Sequence, residues 1–538
     1  MINFSPMASM KQQPKKKNGD RAYHDQIKHL IQIGVALSGE KNIERLLEII
    51  VDEARKLTNA DAGTLYIMSD DETELQFAII QNNSLNIRMG GTGGAITWPA
   101  VNLKNADGSA NEANVCAYAA ASGKTINIAD VYHAQGFNFE GTKQFDKKTG
   151  YRSKSMLVSP LRNHENDIIG VLQLLNALDP ATGEVILFSP ESQEIILSLA
   201  SQAAIALSNS RLIHDLENLL ESFIKTIAST IDEKSPYTGG HIRRVAELTM
   251  TIANKINETK DGRFAAVKFS DDQLRELRMA AWLHDVGKIT TPEYVIDKET
   301  KLQTVHDRIH EVKTRLELIK KDYLPADQSG NKDKQDEQTT RSADAEIKAL
   351  DKEYQFLQEV NQGGEFLSDE MVARIKNIAK REWSDEGQRR PLLSEDEVHN
   401  LCVRRGTLTA EERNIINNHV LVTHKILKGL PFPKKMRHVA AYAAAHHENI
   451  DGSGYPFGLK GDEIPLQSRI IAIVDIFEAL TAKDRPYKKG KTLSEALKIM
   501  GFMVHDNHID KDLFEFFTKE KLYVDYAKRE LTPQQIDI

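Results

Sequence analysis

The chain of 538 residues has little cysteine, no strong excess of charge and no long apolar run. Its two cysteines, Cys116 and Cys402, lie far apart and indicate neither a disulfide framework nor a cysteine-based metal site. The net charge of −8 argues against a surface built for nonspecific nucleic-acid binding. No stretch of about 18 uncharged apolar residues is present, and no signal-peptide core precedes residue 20. We therefore expect a cytoplasmic protein with no membrane span and no DNA partner.

The composition is that of a globular protein, with 40% hydrophobic and 28% charged residues. Strand-like apolar runs alternate with helical patterns in the first part of the chain, whereas the second part is mostly helical in pattern. The sequence thus predicts a multidomain α/β and all-α protein. The predicted segments are a flexible tail (1–24), a mixed α/β domain (25–208), a connecting helix (191–231), a helical domain (232–520) and a C-terminal tail (521–538).

The connecting helix is predicted from apolar residues that alternate near three and four positions apart. This spacing suits either an amphipathic helix of one domain or the seam of a parallel dimer, and both interpretations stay open. The apolar positions are Ile196, Leu199, Ala203, Ala206, Ile213, Leu216, Leu220, Ile224, Ile227 and Ile231.

Residues 304–406 differ from the helical domain that surrounds them, because 40 of these 103 residues are charged. Helical patterns flank a polar, turn-rich stretch at 325–340, which predicts a mobile loop. We interpret 304–406 as an inserted, solvent-facing helical segment.

Residue types that bind metals cluster between positions 241 and 475 of the chain. A histidine and an aspartate end one apolar helix, and Asp475 lies within another, where a carboxylate without a cationic partner would be costly. Imidazole and carboxylate ligands suit Fe, Mn, Ni or Zn better than Ca, and the lack of thiolates argues against structural zinc. The candidates are His241, His284, Asp285, His419, His446, His447 and Asp475.

The sequence resembles the HD-GYP family in two runs, His284-Asp285-Val286-Gly287-Lys288 and the later run from His446-His447-Glu448 through Gly454-Tyr455-Pro456. The likeness continues in Gly458–Leu466, Asp475–Leu480 and Arg485-Pro486-Tyr487-Lys488. It covers about 220–520 apart from the insertion. The resemblance implies an all-α domain with a metal-dependent phosphodiesterase site for cyclic di-GMP.

The same resemblance implies a role for each matching residue. Asp285 would bridge two divalent metals, most plausibly Fe or Mn, with Ni or Zn as alternatives. Some relatives carry a Glu four residues before the first histidine and hold a third metal, but that position here is Tyr237, which predicts two metals. One metal would be held by His419, His446 and His447, and the other metal by His284, Asp475 and His241. The residues that would contact substrate are Lys288, Tyr455, Arg485 and Lys488.

The implied mechanism uses the two cations to bind phosphodiester oxygens and to lower the pKa of a bridging water, whose hydroxide attacks phosphorus. Lys288 and Arg485 would stabilise the developing charge. Glu448 and Asp451 would either orient His446 or His447 from a second layer or simply cap a turn.

Residues 25–208 resemble GAF domains of the kind found in cyclic-nucleotide phosphodiesterases. The likeness rests on Phe145-Asp146, on Thr149 to Ser155, and on Gly170 to Asn176. The motif of cyclic-nucleotide binders, Asn-Lys/Arg followed by Phe and then Asp-Glu, is degenerate here, since Ala177 follows Asn176 and Ser192 and Gln193 stand four and five residues after Phe188. A cyclic-nucleotide ligand and a role limited to dimerisation and signal relay are therefore both open.

The leading hypothesis is a GAF-regulated, homodimeric enzyme that hydrolyses cyclic di-GMP to pGpG or GMP. A second hypothesis keeps the chemistry and changes the substrate to another cyclic dinucleotide or a mononucleotide. A third makes the chain a non-catalytic sensor or scaffold, which a complete set of seven ligands disfavours.

Overall fold

The structure is a computed structural model that describes residues 17–40, 42–234, 240–323, 337–364, 366–483 and 490–538. Side chains are described throughout these ranges except at 17–27 and 337–340. The chain divides into two compact units, Met1–Leu219 and Leu220–Ile538.

The first unit is built on an antiparallel sheet, whose strands are β1 (Ala60–Met68), β2 (Glu74–Asn82), β3 (Ile87–Gly90), β4 (Val101–Asn102), β5 (Ile126–Ile128), β6 (Met156–Arg162), β7 (Ile168–Leu178) and β8 (Val185–Ile186). The strand order is β3-β2-β1-β7-β6-β5, and β4 pairs with β2 and β8 with β7. Strand-like apolar runs of the sequence at 63–68, 75–80, 155–161 and 168–175 fall in β1, β2, β6 and β7. The helices are α1 (Lys17–Gly39), α2 (Ile43–Thr58), α3 (Val115–Ser122), α4 (Glu140–Thr149) and α5 (Pro190–Asp232).

Helices cover the sheet because each has an apolar face to bury. α2 begins at Asn42, whose side chain accepts a hydrogen bond from the Arg45 amide, and it ends at Asn59 in the left-handed conformation. Residues of α2 such as Ile50 and Val51 join β1, β7 and the first half of α5 in one core. Residues of α3 and of the following loops join the strands in a second core. The mixed α/β prediction for this region is confirmed.

Helix α5 carries two different apolar faces, which the sequence pattern merged into one seam. Ile196 and Leu199 are buried in the core of the first unit, and Ile224 and Ile231 are buried in that of the second. Another set of residues is left exposed on the same helix. These are Ile205, Leu212, Ile213, Leu216, Leu219, Phe223 and Ile227.

The second unit is helical, and one large core joins most of its helices. Its helices outside the predicted insertion are α6 (His241–Glu258), α7 (Asp271–Leu283), α8 (Glu293–Ile296), α13 (Ala410–Asn417), α14 (His419–Lys428), α15 (Val439–Ala444), α16 (Leu466–Thr481), α17 (Leu493–His505), α18 (Lys511–Lys519) and α19 (Val524–Glu530). A 3₁₀ turn, Val286–Thr290, follows α7.

The predicted insertion is not simply a solvent-facing segment, because it has a hydrophobic core of its own. Val312, Leu316, Leu350 and Leu357 are among its fully buried residues. Residues 337–340, expected in the mobile loop, are helical, and 324–336 lie outside the described residues. The elements are α9 (Ile309–Tyr323), α10 (Glu337–Asn361), α11 (Asp369–Ile378), β9 (Glu382–Asp385), β10 (Gln388–Pro391) and α12 (Glu395–Leu401).

The predicted tails also differ from the structure. Residues 521–538 contain α19 and bury Tyr526 and Ala527 in the main core. The Gln535 amide group donates to the carbonyl oxygens of Thr481 (2.8 Å) and Lys491 (3.2 Å). At the other end, residues 17–24 already belong to α1, while 1–16 lie outside the described residues.

Among the described helices, none combines the length and the apolar character that crossing a membrane requires.

Candidate metal centre

The candidate ligands lie at or near helix ends in the second unit. His241 is the first residue of α6, and His419 is the first residue of α14. His284 caps the C-terminal end of α7, and His446 comes two residues after α15 ends. Asp475 alone projects from the middle of a helix, α16. Five helices thereby contribute to one buried cluster.

The rings of three histidines are held in the same way, by a hydrogen bond to a nearby main-chain carbonyl oxygen. In His284, His419 and His446, Nδ1 lies 2.8, 2.6 and 2.6 Å from the carbonyl oxygen three residues earlier. Carbonyls in the last turn of a helix lack a helical partner, so they can accept this hydrogen bond. A ring that donates through Nδ1 presents an unprotonated Nε2, which is the form that binds a metal.

Asp285 faces ligands on two sides. Its Oδ1 lies 3.1 Å from Nε2 of His419, whereas its Oδ2 lies 3.3 Å from Nε2 of His284 and 3.6 Å from Nε2 of His241. The ligand atoms of His419, His446 and His447 all lie within 4.8 Å of one another, as do those of His241, His284 and Asp475. Two three-residue groups therefore flank one carboxylate.

The cluster contains buried polar atoms that lack hydrogen-bond partners. Within the described residues, these include Nε2 of His284, His419 and His446, and Oδ1 of Asp285. A buried polar atom without a partner costs free energy, unless a cation supplies the missing interaction. The residues present therefore fit a pair of divalent cations with nitrogen and oxygen ligands.

The electrostatics of the cluster agree with this fit. Burial lowers the pKa of His446 well below its usual value and that of His447 to about 4, so both rings are neutral and able to bind metal. Burial alone would raise the pKa of Asp285, but the positive charge of Lys288 holds it well below its usual range. Asp285 and Asp475, whose pKa is also lowered, thus place negative charge beside the neutral rings of His446 and His447, as a cation site requires.

Glu478 belongs to this site, although the sequence reasoning missed it. It is 1% exposed, and its Oε2 lies 2.5 Å from Nδ1 of His241, while its Oε1 accepts from Nε of Arg244 at 2.7 Å. Unlike His284, His419 and His446, His241 is thus oriented by a side chain. The available signal was a second carboxylate three residues after Asp475 on the same apolar helix.

We expect Glu478→Gln to weaken metal binding about 10- to 100-fold, the usual effect of losing the partner that orients a ligand. The amide cannot serve both His241 and Arg244 as an acceptor, so the His241 ring loses its fixed orientation. Competition with a chelator measures the metal affinity, and excess metal should restore turnover. Glu515→Gln on the surface of α18 is the matched control. Unchanged metal affinity in Glu478→Gln would contradict this role.

The structure brings Lys288 and Tyr455 to the cluster. Nζ of Lys288 lies 2.5 Å from Oδ2 of Asp285, and its side chain is 31% exposed. The ring of Tyr455 lies 4.9 Å from that of His447. Three residues of the sequence predictions lie outside the described residues. They are Arg485 and Lys488, which were expected to contact substrate, and Tyr237, which stands where some relatives have a ligand to a third metal.

Glu448 and Asp451 shape the loop rather than orient the histidines. The buried carboxylate of Glu448 accepts from the amides of Phe457 (2.7 Å) and Leu459 (3.0 Å). Asp451 accepts from the amide and hydroxyl of Ser453. Neither carboxylate is hydrogen-bonded to His446 or His447 in the described part of the chain. Of the two roles expected from sequence, the structure shows the turn cap, because both acids are occupied by loop amides.

Family models match most of the two units. A model described as GAF domain matches residues 42–207, and two models described as HD domain match residues 238–339 and 395–513. The gap between the HD matches lies within the predicted insertion.

Three curated relatives are similar to parts of this chain. The 3'3'-cGAMP-specific phosphodiesterase 3 of Vibrio cholerae is 26% identical over 301 residues, which is 56% of this chain and 39% of that protein. The cyclic di-GMP phosphodiesterase response regulator RpfG of Xanthomonas campestris is 40% identical over 97 residues, 18% of this chain and 25% of that protein. The cyclic di-GMP phosphodiesterase of Thermotoga maritima is 35% identical over 130 residues, 24% of this chain and 35% of that protein. The chain thus spans between a quarter and two fifths of these relatives. The chain thus matches a GAF domain model in its first unit and HD domain models in its second, and it is similar over part of its length to proteins named as cyclic dinucleotide phosphodiesterases.

Proposed function

We propose that this chain is a metal-dependent phosphodiesterase that hydrolyses cyclic di-GMP to pGpG or GMP. The observation that carries the proposal is the convergence of buried, unpartnered imidazole nitrogens on the two sides of Asp285. The relatives named as cyclic di-GMP phosphodiesterases support the substrate. The metal pair, the ligand roles and the substrate contacts of Tyr455, Arg485 and Lys488 are parts of the same proposal.

The bound divalent cations, Fe or Mn in the first place and Ni or Zn otherwise, would supply Lewis acidity toward the phosphodiester and lower the pKa of water. The chain holds and surrounds them. Asp285 contributes one oxygen to each side, and the backbone carbonyls keep the histidine rings in the metal-binding tautomer. The ammonium group of Lys288 stays beside Asp285, where it can meet a negatively charged phosphoryl oxygen.

Hydrolysis by anaerobically purified, Fe- or Mn-loaded protein tests the proposal. Cyclic di-GMP should be converted to pGpG or GMP, and both His447→Ala and Asp285→Ala should abolish product formation. No turnover with either metal, or unchanged turnover in both variants, would overturn it. Binding of cyclic di-GMP without product over long incubation would support a non-catalytic sensor instead.

A second candidate substrate is 3'3'-cGAMP. The relative with the longest match among the three described is named as specific for it, and that match covers 56% of this chain. Both substrates present two phosphodiester bonds, so the metal cluster alone does not distinguish them. Comparing kcat/KM for cyclic di-GMP, 3'3'-cGAMP and a cyclic mononucleotide separates the candidates.

We expect Lys288→Met to lower kcat about 100- to 1,000-fold and to leave the metal content unchanged. The substitution removes a cation that faces the scissile group but supplies no lone pair to a metal. Turnover and metal analysis of the same preparation measure the two quantities. Lys428→Met, on the exposed end of α14, is the control. A parallel loss of metal would show that Lys288 acts on the cluster and not on the substrate.

We also propose that the GAF domain regulates the HD domain and that the chain forms a homodimer through α5. Leu212, Leu216, Leu219 and Phe223 are all more than half exposed, and they follow one another at intervals of four, three and four residues. That spacing is the seam of a coiled coil, and Asn209 falls at an equivalent core position, where a polar residue favours one register.

We expect a double substitution, Leu216→Asp with Leu219→Asp, to convert the dimer to a monomer. Like charges at facing core positions oppose association, while the faces of α5 that enter the domain cores stay intact. Sedimentation velocity measures the mass. His214→Ala, on the same helix away from the seam, should leave the dimer unchanged. A wild-type monomer at micromolar concentration would refute the dimer itself.

A further inference from the structure

The turn that carries Lys288 has carbonyl oxygens that its own backbone does not satisfy. This 3₁₀ turn, Val286–Thr290, lies between α7 and α8. In the 3₁₀ pattern the carbonyl oxygen of Ile289 would accept from the residue three positions later, but that residue is Pro292, which has no N–H. Thr291 is 2% exposed, so its carbonyl group needs a donor from within the protein. The end of the turn therefore requires donors from another part of the chain.

Lys234 supplies these donors. Its Nζ lies 2.6 Å from the carbonyl oxygen of Ile289 and 2.8 Å from that of Thr291. The carbonyl oxygen of Lys288 lies 3.4 Å from the same Nζ. An ammonium group has three N–H bonds and cannot accept, so it suits a group of three carbonyl oxygens. Cationic side chains are also favoured at the C-terminal end of a helix, where the carbonyl oxygens carry partial negative charge.

The start of the same turn is held by α14. The amide of Gly287 donates to the hydroxyl of Thr423 at 2.9 Å, and that hydroxyl donates to the carbonyl oxygen of His284 at 3.2 Å. Lys288 stands between this contact and the contact with Lys234, and its own Nζ lies 2.5 Å from Oδ2 of Asp285. The position of the Lys288 ammonium group therefore depends on how both ends of the turn are held.

Lys234 directly follows the C-terminal end of α5. The helix ends at Asp232, and the amide of Lys234 donates to the carbonyl oxygen of Ile231 at 3.1 Å, which continues the last turn. Ile231 is buried in the core of the second unit. Asp232 also contacts α6, because its Oδ2 accepts from the amide of Ile242 at 3.3 Å. Within the second unit, the end of α5 thus contacts both the 3₁₀ turn and the first turn of α6.

We propose that Lys234 is a positioning residue for Lys288: it holds the 3₁₀ turn so that the Lys288 ammonium group faces the scissile phosphodiester, and it makes this placement depend on the end of α5. The inference rests on the proposed function. Without the Lys234 ammonium group, the carbonyl oxygens of Ile289 and Thr291 lose these hydrogen bonds, and the turn loosens. A displacement of a catalytic group by about 1 Å can lower a rate on the order of 100-fold.

Hydrogen exchange of the full chain tests the contact without reference to turnover. We expect Lys234→Met to speed exchange in the peptide 286–291 at least about tenfold and to leave exchange in α17 unchanged. Lys234→Arg keeps cationic donors and should stay within about threefold of wild type, whereas Lys234→Gln, with a neutral donor, should fall between the two. Lys225→Met, at an exposed lysine of the same helix, is the matched control. Unchanged exchange of 286–291 in both folded Lys234→Met and Lys234→Gln would overturn the proposal.

A double-mutant cycle separates positioning from a general structural role. We expect Lys234→Met to lower kcat about 10- to 100-fold, with KM changed by less than about threefold and the metal content unchanged. Added to Lys288→Met, it should lower kcat by no more than about twofold further, because both changes remove the same ammonium group from its place. Additive losses, or a parallel loss of metal, would overturn the proposal. A wild-type protein without turnover would refute the proposed function instead, and hydrogen exchange alone would then decide whether Lys234 holds the turn.

Discussion

Asp285→Asn is expected to reduce phosphodiesterase turnover about 1,000-fold or more and to lower the metal content of the purified protein. The amide retains the size of the side chain but loses the charge and one of two acceptor oxygens. Since the two oxygens of Asp285 face His419 on one side and His284 on the other, the loss affects both groups of ligands. The measurements are metal analysis and turnover on the same sample.

The comparison with Asp475→Asn makes this result specific. Asp475 belongs to the group with His241 and His284, and it is not part of the group formed by His419, His446 and His447. We expect Asp475→Asn to lose one metal equivalent and Asp285→Asn to lose more than one. Asp369→Asn, on an exposed helix end in the insertion, should bind metal normally. Equal metal losses in the Asp285 and Asp475 variants would contradict the proposed bridging role of Asp285.

Gly287→Ala is expected to destabilise the second unit by about 3 kcal/mol and to lower its melting temperature by about 5–10 °C. A Cβ at this position would lie 1.9 Å from the carbonyl oxygen of His419 and 2.6 Å from the amide nitrogen of Thr423. Both atoms are backbone atoms of α14, so no side-chain rotation relieves the overlap. The helix that begins with a candidate metal ligand must therefore shift.

Calorimetry of the full chain, with the HD transition identified by its response to added metal, measures this effect. Gly501→Ala is the matched control, because the new methyl group would meet no atom within 4 Å. Gly501 lies inside α17, where alanine is the better helix former, so its melting temperature should stay equal or rise slightly. A Gly287→Ala protein that melts like wild type would show that α14 is free to move.

Much of the candidate site could be predicted from the sequence because its residues lie in short, ordered motifs. His284-Asp285 and His446-His447 are adjacent pairs that follow apolar helices, and the structure places these pairs in one cluster. Glu478 could not be assigned in the same way. Its role depends on the contact between α16 and the first residue of α6, which are more than 230 positions apart in the chain.

The connecting helix shows why periodicity alone was insufficient. A spacing of three and four residues identifies a helix, but it does not say which of several apolar faces meets which partner. Ile196 and Ile224 fit one continuous seam in sequence, yet they enter the cores of different units.

The C-terminal segment was misjudged for a related reason. Its apolar residues, such as Tyr526, are too few to predict a core position without knowledge of the surface that covers them.

Three of the five histidines in the cluster have their rings held by main-chain carbonyl groups. No point substitution deletes a carbonyl, so these rings keep their tautomer whatever side chains evolve around them. His241 differs from these three, because one acid, Glu478, sets its orientation. The three carbonyl-held rings should therefore tolerate wide variation of neighbouring side chains, whereas the position of His241 should be sensitive to substitution of Glu478. Selection for altered metal preference would then act first at Glu478.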